Sequence, residues 1–159
     1  MQSTIKAMLL GIVIAVLAIP AVAQSGSNLD MEILAEKMKA DKKLLIAMNM
    51  NLTDGEAKNF WPVYDKYQKE LQQLNQNIGE VIGEYAEAYN KGPVSNDLSK
   101  KLIKEMLAVK AAEVKLMVSV ADKLEKVLPT TKVARYIQME NKIRALINYD
   151  LAAKIPLIY

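Results

Sequence analysis

The sequence predicts an all-α protein: four helices, two of them long and paired as an elongated, curved hairpin, with a homodimer as the expected assembly. Three observations carry this. Apolar residues recur at helical spacing in each segment after residue 30. Glycine and proline, 6 and 5 in the whole chain, are scarce after residue 23 and fall there mostly at segment boundaries. No stretch alternates with the two-residue period of a half-buried strand.

The first helix is expected from about Asp30 to Met50, with Asn28 as cap and Ile33, Leu34, Met38, Leu45 and Met48 as its apolar stripe. Leu52-Thr53 interrupts it. Thr53 and Glu56 then form a T-x-x-E capping box, in which the hydroxyl accepts the amide three residues on and the carboxylate accepts the Thr53 amide. After this start come Phe60, Tyr64, Tyr67, Leu71, Leu74, Ile78, Val81 and Tyr85. Their steps alternate between four and three, a heptad seam that calls for one long helix packed on another. Gly92-Pro93 stops it, near Asn90.

A third helix is expected from a Ser95 or Asn96 cap to about Leu128, buried along Leu98, Leu102, Met106, Val109, Leu116, Val120, Leu124 and Val127. Pro129 ends it. Thr130 or Thr131 caps a fourth, with Val133, Ile137, Ile143, Ile147 and Leu151 inward and Pro156 as its stop. At 1.5 Å per residue the second and third helices would each be on the order of 50 Å long. A compact domain of this size is only about 37 Å across. The overhang calls for bends or a partner surface, and is the basis for expecting a dimer. Pro62, Gly79 and Gly83 are the candidate bend points; the Gly79-x-x-x-Gly83 spacing reads, among polar neighbours, as close helix approach in water.

The N-terminus has its own pattern. Lys6 is the only charge before Asp30, and an apolar run from Ala7 to Ile19 leads to Pro20-Ala21-Val22-Ala23. This is the order of a cleavable secretory signal over residues 1–23, with Gln24 the first mature residue. A run of about 13 residues is too short to span a bilayer, which takes roughly 20. No cysteine near the site offers a lipid anchor. Residues 24–159 then form one helical domain, periplasmic, with no integral membrane segment after cleavage.

Composition removes whole classes of function. Histidine and cysteine are both absent. Without them there is no Ser-His-Asp triad, no cysteine nucleophile, no Cys/His zinc site, no disulfide and no Glu-x-x-His di-iron site. No calcium-loop spacing or dense Asp cluster stands in their place. We therefore expect no enzyme, no metal and no cofactor. The net charge of +3, with lysines spread along the chain, gives no case for nucleic acid.

Three constellations remain, each with a plainer reading. Phe60-Trp61, beside Pro62, would make an exposed aromatic hot spot; packing into the bundle is the plainer account, with Trp61 the more exposed ring. Tyr64, Tyr67, Tyr85, Tyr89, Tyr136 and Tyr149 fit seam and rim positions with hydroxyls toward water. Met48 and Met50, the closest pair among dispersed methionines, sit on different helix faces, so core or groove filling outweighs copper(I) binding. Lys100, Lys101 and Lys104 form a basic cluster early in the third helix. A solvated face is the plain reading; a partner contact is the functional one.

Leu52-Thr53-Asp54-Gly55-Glu56 resembles the repeated element of the LTXXQ-motif family of periplasmic proteins, the Spy/CpxP type. Glu56 stands where that element has Gln and keeps the capping chemistry. The second copy would be Leu128-Pro129-Thr130-Thr131-Lys132, which departs twice: Pro129 replaces Thr and Lys132 replaces Gln. In layout the resemblance covers roughly residues 30–152; in letters it rests on the first element. It implies an ATP-independent chaperone of envelope proteins, often a curved dimer that holds unfolded clients by apolar and cationic contacts. It also implies an alternative, a regulatory protein that binds the periplasmic domain of an envelope-stress sensor kinase. A structural or lipid-interacting surface protein is a third class. Export is the first expectation to test: N-terminal sequencing of the envelope fraction should find a product beginning at or next to Gln24, and a mature protein that retains Met1 overturns it.

Overall fold

The computed structural model describes residues 40–158. The signal segment, the cap at Asn28 and the stripe positions Ile33, Leu34 and Met38 lie outside these residues. Among the described residues the fold is all-α, with four helices and no strand. We label them α1 (helical over 40–50), α2 (Asp54–Lys91), α3 (Asn96–Leu124) and α4 (Thr130–Lys154). The chain divides into two compact units: one holds residues 40–51 and 138–155, the other residues 52–137 and 156–158.

α2 is continuous through Pro62 and Gly79. Pro62 lies in the third turn, where it removes the backbone bond to the Lys58 carbonyl without ending the helix. The heptad seam forms the buried face: Phe60, Tyr64, Tyr67, Leu71, Ile78 and Val81 are buried, while Leu74 and Tyr85 are half-buried. Gly92 closes the helix at φ 138°, a backbone state that a side chain would strain, and its amide donates to the Tyr89 carbonyl. Ser95 then caps α3 by accepting the Leu98 amide. The short connection makes α2 and α3 an antiparallel hairpin: the Tyr67 hydroxyl lies 3.9 Å from Met117 Sδ at one level, and Lys101 Nζ donates to Glu84 at 2.6 Å at another.

Three boundaries and registers differ from expectation. α3 ends at Leu124, and a turn carries Val127 and the buried Leu128 to Pro129. α4 starts at Thr130 itself, so Pro129 occupies the cap position; its carbonyl accepts the amides of Lys132 and Val133. In α1 the buried residues are Ile46 and Met50, with Leu45 half-buried and Met48 exposed. The reason lies in the neighbouring charge. Lys42, one turn before Ile46, donates to Glu140 of α4 at 2.8 Å, and Glu140 is itself buried. Burial holds the Lys42 ammonium below the ordinary lysine value against the opposing pull of Glu140. A buried pair is costly to break, since the remaining charge would lack compensation. That pairing fixes the 42, 46, 50 face of α1 inward.

Close helix approach at Gly79 and Gly83 does not occur. Both are exposed, and a Cβ added to either would meet nothing within 4 Å. They therefore only loosen α2. Gly79→Ala and Gly83→Ala should each stabilise the fold by up to about 1 kcal/mol, the cost of glycine inside a helix. A double variant that melts lower than the parent by calorimetry would show that these positions carry contacts or bending that the fold requires.

Candidate binding surface

Two regions of the hairpin unit collect the residues singled out by sequence: a junction that joins the starts of α2 and α4, and the outward side of α3. Thr53 and Glu56 make the capping box, with the Thr53 amide donating to Glu56 Oε2 at 2.8 Å and the Glu56 amide donating to Thr53 Oγ1 at 3.3 Å. Glu56 has a second partner that sequence reasoning missed: Lys132 Nζ donates to the same carboxylate oxygen. The hydrogen bond from Lys132, with that from the Thr53 amide, holds the Glu56 carboxyl below its usual range. Each partner stands where the resembled element has Gln, so the two departures meet as an ion pair. Leu128 is buried beside this junction in sequence, Leu52 is half-buried, and Thr130 is exposed.

Aromatic rings close the junction from within. Phe60 and Tyr136 are both fully buried, edge to face with centroids 5.3 Å apart. Tyr64 completes the cluster at 5.8 Å from Phe60 and 6.1 Å from Tyr136. Phe60 is thus a core residue, with no ring face to offer a partner. Trp61 is half-buried and stacks edge-on against Phe60 at 4.9 Å. Tyr136 is likewise interior, and its hydroxyl is buried where one reaching water was expected.

The basic cluster behaves as three separate residues. Lys101 turns to α2 and bonds both oxygens of Glu84, with Glu105 at 3.8 Å; the Glu84 bond raises its pKa. Together with Glu80, Val81 and Val109 they line a shallow groove along the hairpin. Lys100 and Lys104 are exposed on the other side of α3. There they adjoin a feature that sequence reading did not isolate. Ile103, Leu107, Val114 and Val118 are 61, 63, 65 and 55% exposed. At 100° per residue they share, with Ala111, an arc of about 80° and form a ridge about 22 Å long. It lies away from the face carrying Leu102, Val109, Val120 and Leu124, which is buried. Most large apolar side chains of a folded domain are covered, so a continuous uncovered row of this length stands out as a candidate surface. No other group assembles at either region: among the described residues no His/Cys/Asp/Glu cluster could hold a metal.

The junction makes a testable pH statement. Glu56 has its pKa lowered on folding, so its contribution to stability is fully present above the unfolded carboxyl value of about 4.3 and is lost as pH falls through the lower folded value. Thr53→Ala should cost about 1 kcal/mol, in the range of lost N-caps. Glu56→Gln keeps an oxygen for the Thr53 amide but loses the ion pair with Lys132. Its melting point should fall below the parent's at pH 7 and converge with it toward pH 3. A deficit that stays constant across that range would show that the ionised carboxylate is not what Glu56 contributes. Comparisons with family models, with curated proteins and with solved structures find no match to this chain, so its functional reading rests on the ridge and the junction themselves.

Proposed function

We propose that this chain is a non-enzymatic, ATP-independent chaperone of the cell envelope, which holds apolar segments of unfolded proteins on the outward ridge of α3. The observation that carries the reading is the ridge itself: four large aliphatic side chains more than half exposed, in one row, on a helix whose opposite side is packed. Such a row loses water favourably against any apolar segment, because the hydrophobic contact is non-directional and indifferent to the client's sequence. Lys100 and Lys104 beside it add attraction for acidic clients without fixing a geometry. The likeness of Leu52–Glu56 to the LTXXQ element and the N-terminal export pattern support the same reading, with the periplasm as the proposed compartment.

The mature protein should delay aggregation of a generic unfolded client with no nucleotide present. Leu107→Asp and Val114→Asp together should abolish the delay while leaving the melting point nearly unchanged, since both side chains already face water. Raising salt to about 1 M shortens the screening length from about 10 Å to about 3 Å. That should slow capture but not remove it. Unchanged aggregation at several-fold molar excess of the protein sinks the reading, and cross-linking for a membrane-sensor partner then becomes the experiment of choice.

A further inference from the structure

An apolar ridge exposed in water needs an occupant whenever no client is bound, and its charges say which kind. Lys104 and Lys115 border one side, Lys100 stands at its N-terminal end, and all three are exposed. Lys110 borders the other side, 3.6 Å from Glu113. The acidic residues of this stretch of α3 stand beside lysines, Glu105 near Lys101 and Glu113 near Lys110. Between Lys100 and Lys115 the rim therefore carries three positive charges, Lys100, Lys104 and Lys115, beside the Lys110–Glu113 pair, and the exposed Asp122 follows Val118.

A second copy of the chain fits the apolar spacing but not this rim. Antiparallel pairing about the midpoint between Lys110 and Ala111 would set Ile103 on Val118 and Leu107 on Val114 of the second copy. The same register brings Lys104 of each copy beside Lys115 of the other. Like charges so placed oppose association. An anionic partner reverses the sign of all these contacts. The ridge is also convex, being the outer side of a helix, and a protein partner would have to supply a matching groove. A fluid bilayer surface needs none. Aliphatic side chains in the centre and lysines at the rim, with stems that reach past them, is the pattern of a helix lying in a membrane interface.

We infer that the α3 ridge seats the protein on anionic bilayer surfaces: Ile103, Leu107, Val114 and Val118 enter the headgroup boundary, while Lys100, Lys104 and Lys115 contact the lipid phosphates. The attachment is peripheral, since no described helix is long and apolar enough to cross a membrane. It shares the ridge with the chaperone reading but does not require chaperone activity. Lipid and client are expected to compete.

The test is co-flotation of the mature protein with vesicles. Vesicles of equal parts phosphatidylcholine and phosphatidylglycerol should carry the protein, and pure phosphatidylcholine vesicles should not. Replacing Lys100, Lys104 and Lys115 by Gln should weaken binding about five-fold per lysine, on the order of a hundred-fold together. Val114→Asp should abolish what remains, and Lys123→Gln, beyond the ridge, should change nothing. Circular dichroism confirms that each variant is folded. Equal binding to both vesicle types overturns the inference, as does binding that survives Val114→Asp. So does failure to bind anionic vesicles while an acidic amphipathic peptide is captured, which would assign the ridge to a protein partner. Failure on vesicles with aggregation suppression intact removes the lipid inference and leaves the chaperone reading. The reverse result removes the chaperone reading and leaves the lipid one.

Discussion

The hairpin unit depends on one long-range contact, the closure of α4 onto the start of α2 at Phe60 and Tyr136. These rings come from positions far apart in the chain, and they meet because α3 returns the chain along α2 before α4 begins. An edge-to-face pair adds about 0.5–1.5 kcal/mol beyond the area it buries, and here Tyr64 and Tyr67 extend the contact to four rings, Tyr67 lying 6.3 Å from Tyr136. Just outside the rings, Glu56 receives both its own helix's amide and Lys132. Apolar contact inside and an ion pair at the rim fix the same two helix starts. The capping box consequently does more than begin a helix. It holds the carboxylate where α4 can reach it.

The two short segments that open α2 and α4 meet at this junction through different side chains. A Gln at both places would offer amide to amide. Glu56 and Lys132 offer charge to charge, and the backbone at the second element is begun by Pro129, whose preset φ suits a helix entry. The loss of a hydroxyl cap at that position is met by the Pro129 carbonyl, which accepts two amides. The departures from the resembled element are thus mutually consistent in space, though each looks like a defect when read alone.

Much of the fold was legible in residues. The four-three steps from Phe60 to Tyr85 named α2's inward face, and six of those eight side chains are buried. What stayed hidden had physical causes. In α4 the seam runs Val133, Tyr136, Glu140, Ile143, and a carboxylate in its middle breaks the apolar pattern; the periodicity then suggests Ile137 instead of Tyr136. In α1 the run Leu44-Leu45-Ile46-Ala47-Met48 is apolar on several faces, so spacing cannot choose among them. Lys42 chooses, through a partner on a distant helix that no local pattern reveals. The candidate surface was hidden in a third way. Lys100 and Lys104 drew attention as a cluster, while the apolar row beside them was absorbed into the expectation that large aliphatic residues are core.

α3 is apolar on two sides, and that is the property from which its role follows. A helix of this kind is either sandwiched between two layers or turned toward something outside the chain. Here one side meets α2 and the other is exposed. Uncovered aliphatic rows invite self-association, which proteins commonly oppose with lysines at the border. In the proposed reading, Lys104 and Lys115 would set like charges against each other in a face-to-face pair of copies. The same rim leaves the row open to anything apolar that is also anionic. On such a surface the sign of the rim would select among apolar partners more than shape does, which is why the proposed occupants are apolar client segments and an anionic bilayer surface.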